Sequence, residues 1–173
     1  MDDQERKTLV EQYRDGYAAV VEAVLKITPD ELDVRPAPGK WSVREIIHHL
    51  ADSEMTAAVR LRLLLAEDRP QIKGYDQDEF ARRLYYDRPH EPSLELFRMV
   101  RSSTVDILER LTPAEWVREG THSEAGPFGV EQWLRVYSAH AHKHARQIRV
   151  ARDAAAKQKL EARVTRDTLT PSS

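Results

Sequence analysis

Residues 41–65 read WSVREIIHHLADSEMTAAVRLRLLL, and this stretch holds both a helix start and a helix-period apolar stripe. Ser42 and Glu45 stand three apart, the spacing of a capping box. There the hydroxyl and the carboxylate each satisfy an otherwise orphaned amide of the first turn. Behind the cap, Val43, Ile46, Ile47, Leu50, Ala57 and Leu61 recur at helical spacing and predict a helix running to about Leu65. His48 and His49 flank that stripe on opposite sides, and periodicity does not choose between them.

Toward the N-terminus, Pro29, Pro36, Pro38 and Gly39 leave room for at most one helical turn. Before them, Leu9, Tyr13, Tyr17, Val20, Val21, Val24 and Leu25 mark a first amphipathic helix over about Asp3 to Lys26. Toward the C-terminus, Pro70 and Gly74 open a connection to Pro92, with room for a short helix around Asp76 to Leu84. At about twenty residues it is longer than most connections in one domain, and such connections often carry function. A third helix is predicted from near Ser93, with Leu94, Phe97, Val100, Val105, Leu108 and Leu111 as its stripe and Thr112-Pro113 as its stop. Residues 119–129, with three glycines and Pro127, read as a loop. The fourth helix starts near Val130 and passes Arg152. Residues 161–173 read as a disordered tail, leaving one domain over residues 1–160.

Four long amphipathic segments without an alternating strand pattern predict an all-α helical bundle. The long connection between helices 2 and 3 predicts a crossover rather than a simple up-down array.

Composition narrows the function. The 173 residues suffice for one domain with a substantial core. With 27 basic against 29 acidic residues and no basic run, no nucleic-acid partner is expected. The absence of cysteine removes disulfides and thiolate ligands. No apolar run approaches the ~20 residues that span a bilayer, and Met1 to Val10 has no apolar signal core, so a cytoplasmic protein without membrane association is expected.

Of the 7 histidines, His48 and His49 form one cluster and His140, His142 and His144 another. His140 and His144 are four apart on a predicted helix, so their rings project from one face. That face also carries Trp133, Leu134, Tyr137, Ala141 and Ile148, whereas His142 falls on the opposite, solvent side. Ionisable side chains turned inward must be neutral and bonded to something. A hydrogen-bonded core histidine is the ordinary solution, and a zinc- or nickel-type ion the sharper one. The third ligand would come from helix 2. Glu45, four before His49, is a candidate acceptor for its free ring nitrogen, and Asp52 stands four beyond His48; solvated surface charges are the plainer reading of both.

The stretch Trp41 to Glu54 resembles the second-helix signature of the DinB superfamily, and more closely its YfiT-like branch, described as metal-dependent hydrolases. His140-Ala-His-Lys-His144-Ala-Arg-Gln147-Ile148 resembles that family's fourth-helix motif, and Ile72 to Asp78 its middle connection. The likeness spans about Leu9 to Val150. It implies an antiparallel four-helix bundle with a long crossover, a metal triad of His49, His140 and His144, and a homodimer. It also implies two chemistries: hydrolysis, or S-transfer from a low-molecular-weight thiol of the bacillithiol type.

Three neutral imidazoles would leave a divalent ion, zinc or nickel, with its full charge and an open position for water or a thiol. A small-molecule substrate is expected. Candidates for a general base are Glu45, Asp52, Glu54, His48, Tyr75 and Asp76, while Trp41 and Trp133 read as packing residues. A reading of another class is a non-catalytic metal-binding bundle serving a stress response or dimerisation.

Overall fold

Two of the four long helices begin at a side-chain cap. In the computed structural model, which describes residues 1–169 and the side chains of residues 1–166, Asp2 accepts from the amide of Glu5 at 2.8 Å and opens α1 (Asp3–Val24). Ser42 and Glu45 form the expected capping box at the head of α3 (Val43–Ala66). Pro92 sits in the first turn of α5 (Glu91–Leu108), where its missing N–H costs nothing. The single turn α2 (Pro29–Leu32) lies in the first connection, α4 (Gln77–Arg83) in the second, and α6 (Pro113–Trp116) in the third. α7 runs Val130–Leu169.

Partner residues fix the directions of the four long helices. α1 and α7 are parallel: the N-terminal amine and Arg6 meet Glu131 near the start of α7, while Glu22 meets Arg149 further along. α3 and α5 are parallel as well, since His48 meets Ser93 near both starts and Arg62 meets Ser103 and Thr104 near both ends. α7 is antiparallel to α3, with Trp133 Nε1 donating to the carbonyl of Ala57 at 2.7 Å and His140 beside His49. The array is therefore up-down-down-up, with antiparallel packing between two parallel pairs. Because α3 and α5 are parallel neighbours, residues 67–90 must return along the bundle. This is the crossover expected between helices 2 and 3.

The loop expected over 119–129 is a β-hairpin. β2 (Glu119–His122) pairs antiparallel with β3 (Gly126–Gly129), and β1 (Gln71–Ile72) joins parallel to β2, Ile72 opposite His122. The inward positions of β2 are Gly120 and His122, so its alternation carries no apolar signal. Thr112 likewise does more than stop a helix. α5 already ends at Leu108, and Thr112 caps α6. The expected tail is helical through Leu169, because residues 157–164 are mostly good helix formers and Lys157 reaches Glu161 four residues on. Residues 170–173 of that expectation lie outside the described residues.

The core divides into two apolar clusters. One lies toward the sheet, around Tyr13, Leu61, Leu64, Ile72, Phe128, Trp133 and Leu134; the other holds Val20, Ile46, Ile47, Leu50, Phe97, Ala141 and Ile148. A polar layer separates them. In it Glu54 of α3 pairs with Arg101 of α5 at 2.7 Å and accepts from the Tyr13 hydroxyl of α1, all three fully buried. Among the described residues no helix is long and apolar enough to cross a membrane.

Candidate metal centre

The polar layer continues into a cluster of three imidazoles. His49 lies on the second turn of α3, and His140 and His144 stand one turn apart on α7. The helices approach closely here because the facing residues are small. Gly16 of α1 lies against Ala141, where a side-chain carbon on the glycine would stand 2.7 Å from the alanine methyl. Ala145 and Ala151 keep the same face of α7 lean.

The Nε2 atom of His140 is 3.3 Å from that of His49 and 3.2 Å from that of His144. All three ligand atoms fall within 4.8 Å of one another. Ligand nitrogens at the corners of a tetrahedron, each about 2.05 Å from zinc, stand about 3.3 Å apart. The two spacings from His140 match that edge and suit a shared cation. They fit a metal-free hydrogen-bond network poorly, since one ring proton or one lone pair on His140 Nε2 cannot serve both neighbours. The buried Nδ1 atoms of His49 and His144 form no hydrogen bond either.

Burial keeps these rings neutral. It is the largest cause lowering His49 to about 3, His140 to about 2 and His144 to about 4, with neighbouring His144 and Lys143 adding repulsion at the first two. Gln147 beside His144 acts in the opposite sense. Neutral imidazole is the metal-binding form.

The remaining histidines have other work. His48 is fully buried, with Nε2 3.1 Å from the carbonyl of Arg88 and Nδ1 2.8 Å from the Ser93 hydroxyl. It therefore ties α3 to the crossover and to α5, and burial lowers its pKa. His142 does face away from the cluster but does not simply meet solvent. It donates to the carbonyl of Gln12 at 2.9 Å and ties α7 to α1.

None of the carboxylates considered as a base is free. Glu45 caps α3 and pairs with Arg35, and so does not support His49. Asp52 is buried rather than solvated, accepting from the Tyr86 hydroxyl at 2.7 Å; burial first, then that bond, pushes the Tyr86 pKa up. Glu54 is held by Arg101 and Tyr13. Asp76 is exposed and caps α4, accepting from the amides of Asp78 and Glu79. Tyr75 is half-buried, its ring 5.7 Å from the Arg60 guanidinium, and burial raises its pKa.

Trp41 does more than the packing expected of it. Its indole lies 4.6 Å from the His49 ring and stacks at 16° on His144, 6.5 Å away. It is a wall of the cluster. Trp133 is a core residue as expected. The Arg101–Glu54 pair had no sequence signal beyond polar residues at stripe positions.

Residues 12–148 match the family model of the DinB superfamily. The chain belongs to the DinB superfamily. Among its DinB relatives, a protein of Oceanobacillus iheyensis named "Putative metal-dependent hydrolase" is 35% identical over 125 residues, 72% of this chain and 73% of that one. YfiT of Bacillus subtilis, which carries the same designation, is 29% identical over 154 residues, 83% of this chain and 86% of its own. The solved YfiT structure superposes with a TM-score of 0.81 at 25% identity, covering 92% of this chain and 90% of that one, and is described as having "an unusual four-helix bundle topology".

Proposed function

We propose that this chain is a metal-dependent enzyme acting on a small molecule, with His49, His140 and His144 as ligands of one divalent ion, zinc or nickel. The observation that carries the reading is the convergence of three neutral imidazoles, His140 Nε2 lying 3.3 Å from His49 Nε2 and 3.2 Å from His144 Nε2, where one ring proton or lone pair cannot serve both neighbours. Bound there, such an ion would acidify a water or thiol and polarise a substrate oxygen. The protein's own part is to keep the imidazoles unprotonated, to hold them on two rigid helices, and to shield them with Trp41.

Hydrolysis is the activity named for the relatives. Transfer of a low-molecular-weight thiol, of the bacillithiol type, is the second reading, and one observation favours it. Glu45, Asp52, Glu54 and Asp76 are all engaged elsewhere, so the cluster has none of them as a side-chain base. A thiol, which ionises near pH 8.5, needs less help than water, which ionises near 15.7.

Elemental analysis of protein purified without a histidine tag tests the ligands. We expect about one equivalent of zinc or nickel in the wild type, lost in His49→Ala. Wild-type protein that takes up no metal even on reconstitution would end the proposal. A hydrolase turns over ester or amide substrates without added thiol, whereas a transferase is silent until a thiol is supplied.

A further inference from the structure

Three turns beyond His49 on the same face of α3, Arg60 is 9% exposed, and the cluster chemistry has no use for it. Its guanidinium donates to the Tyr137 hydroxyl at 2.9 Å and to the carbonyl of Lys73 at 2.8 Å. Its Nε is buried and has no partner. No carboxylate among the described residues pairs with it, although the chain's other deeply buried arginine, Arg101, has Glu54. A buried cation without a counter-ion is costly, and an anion that completes its hydrogen bonds recovers much of that cost.

The surroundings suit an anionic ligand and lead to the histidines. Tyr75 of the crossover lies against the guanidinium, its ring centroid 5.7 Å away. Tyr137, which holds Arg60 from α7, sets its ring edge-on to His140, 6.1 Å between centroids. Side chains on a helix lean toward its N-terminus, so Arg60 leans toward His49, leaving about 10 Å between guanidinium and imidazoles. The half-buried Tyr75 lies between this interior and solvent.

We propose that Arg60, with the hydroxyls of Tyr75 and Tyr137, binds a carboxylate of the small-molecule substrate or thiol whose reacting end lies at the three histidines. The carboxylate takes the unfilled Nε edge, and Tyr75 moves with the crossover to admit it. The assignment of the reacting end rests on the metal-centre reading; the carboxylate subsite does not. The guanidinium is preferred to an amine for this task because its planar fork matches a carboxylate.

Calorimetry with metal-free protein tests the subsite alone, using hexanoate against 1-hexanol as probes. Hexanoate should bind at least about tenfold more tightly than the alcohol. Arg60→Met should abolish that preference, and Tyr75→Phe, which leaves every bond of Arg60 in place, should reduce it several-fold. Tyr75→Phe keeps the test valid if Arg60→Met unfolds. No preference for the carboxylate in the wild type, or an undiminished one in Tyr75→Phe and in folded Arg60→Met, overturns the subsite. Repeating the titration on zinc-loaded protein with 6-mercaptohexanoate reads the other end. A gain over hexanoate that disappears in His49→Ala joins the two, and absence of that gain with the carboxylate preference intact would refute only the metal end.

Discussion

Trp41 and His144 stack with 16° between their ring planes, on a side chain that precedes the α3 cap and a ring in the middle of α7. The indole is therefore in a position to report on the cluster. Nickel added to metal-free protein should quench part of the tryptophan fluorescence. Trp41→Phe should remove that change while elemental analysis still finds bound metal. Equal quenching in the variant would mean that Trp116 or Trp133, and not Trp41, senses the ion.

Adjacent histidines should behave oppositely. His140→Ala and His144→Ala should lose the metal, as should His49→Ala. His48→Ala should retain it but lose about 2–3 kcal/mol of stability, because the Arg88 carbonyl and the Ser93 hydroxyl are left without their partner. His142→Ala should also retain metal, at a smaller cost from its lost bond to Gln12. Metal analysis beside denaturant melts separates the two groups, and equal metal loss in all five variants would refute the assignment of faces.

Acid should destabilise the metal-stripped protein. Burial holds His49 at about 3, His140 at about 2 and His144 at about 4 in the fold, while in the unfolded chain each takes a proton near pH 6.5. The folded values lie below the unfolded ones, so the unfolded state binds more protons as pH falls from about 6.5 toward 4. Each ring then removes up to about 1.4 kcal/mol per pH unit. Melting temperature should fall through that window, less steeply in His49→Ala. A slope identical in wild type and variant would show that the ring is not held neutral.

Gly16 sets the distance between α1 and α7. Gly16→Ala places a methyl against Ala141 and the Arg101 guanidinium, and should cost about 1–3 kcal/mol in urea melts. A neutral outcome would mean that the helices part without penalty at the level of the histidines.

The buried ion pair should be strongly non-additive. Arg101→Met or Glu54→Gln alone leaves a partner uncompensated in the core and should cost about 3–5 kcal/mol. The double variant should cost clearly less than the two together, and simple additivity in a double-mutant cycle would argue against direct coupling.

Much of this was legible in the sequence for identifiable reasons. Ser42 and Glu45 announced α3 because a capping box is local chemistry, and the helical stripes reported burial directly. The crossover was legible as a connection too long for a tight turn, although the parallel pairing that requires it was not, because direction depends on partners far along the chain. The β-hairpin was hidden since Gly120 and His122 carry no apolar pattern. His140 and His144 were readable from spacing, whereas the choice of His49 over His48 needed the likeness to a family. Physically, that choice depends on Ser93 and Arg88, which claim His48 from other elements. The commitments of Asp52 to Tyr86 and of Glu54 to Arg101 are equally non-local. No window of sequence contains them.

The crossover climbs alongside α3, touching it at Arg60 through Lys73, at Asp52 through Tyr86, and at His48 through Arg88. The triad, by contrast, is carried wholly by α3 and α7. Ion and carboxylate would then share one stiff frame, with Arg60 and Tyr137 on the helices that carry the histidines, while the crossover lies over it as a strap. Changes within residues 73–88 should then alter which molecules reach that frame and leave the three imidazoles where they are, so that access and chemistry can be tuned one at a time.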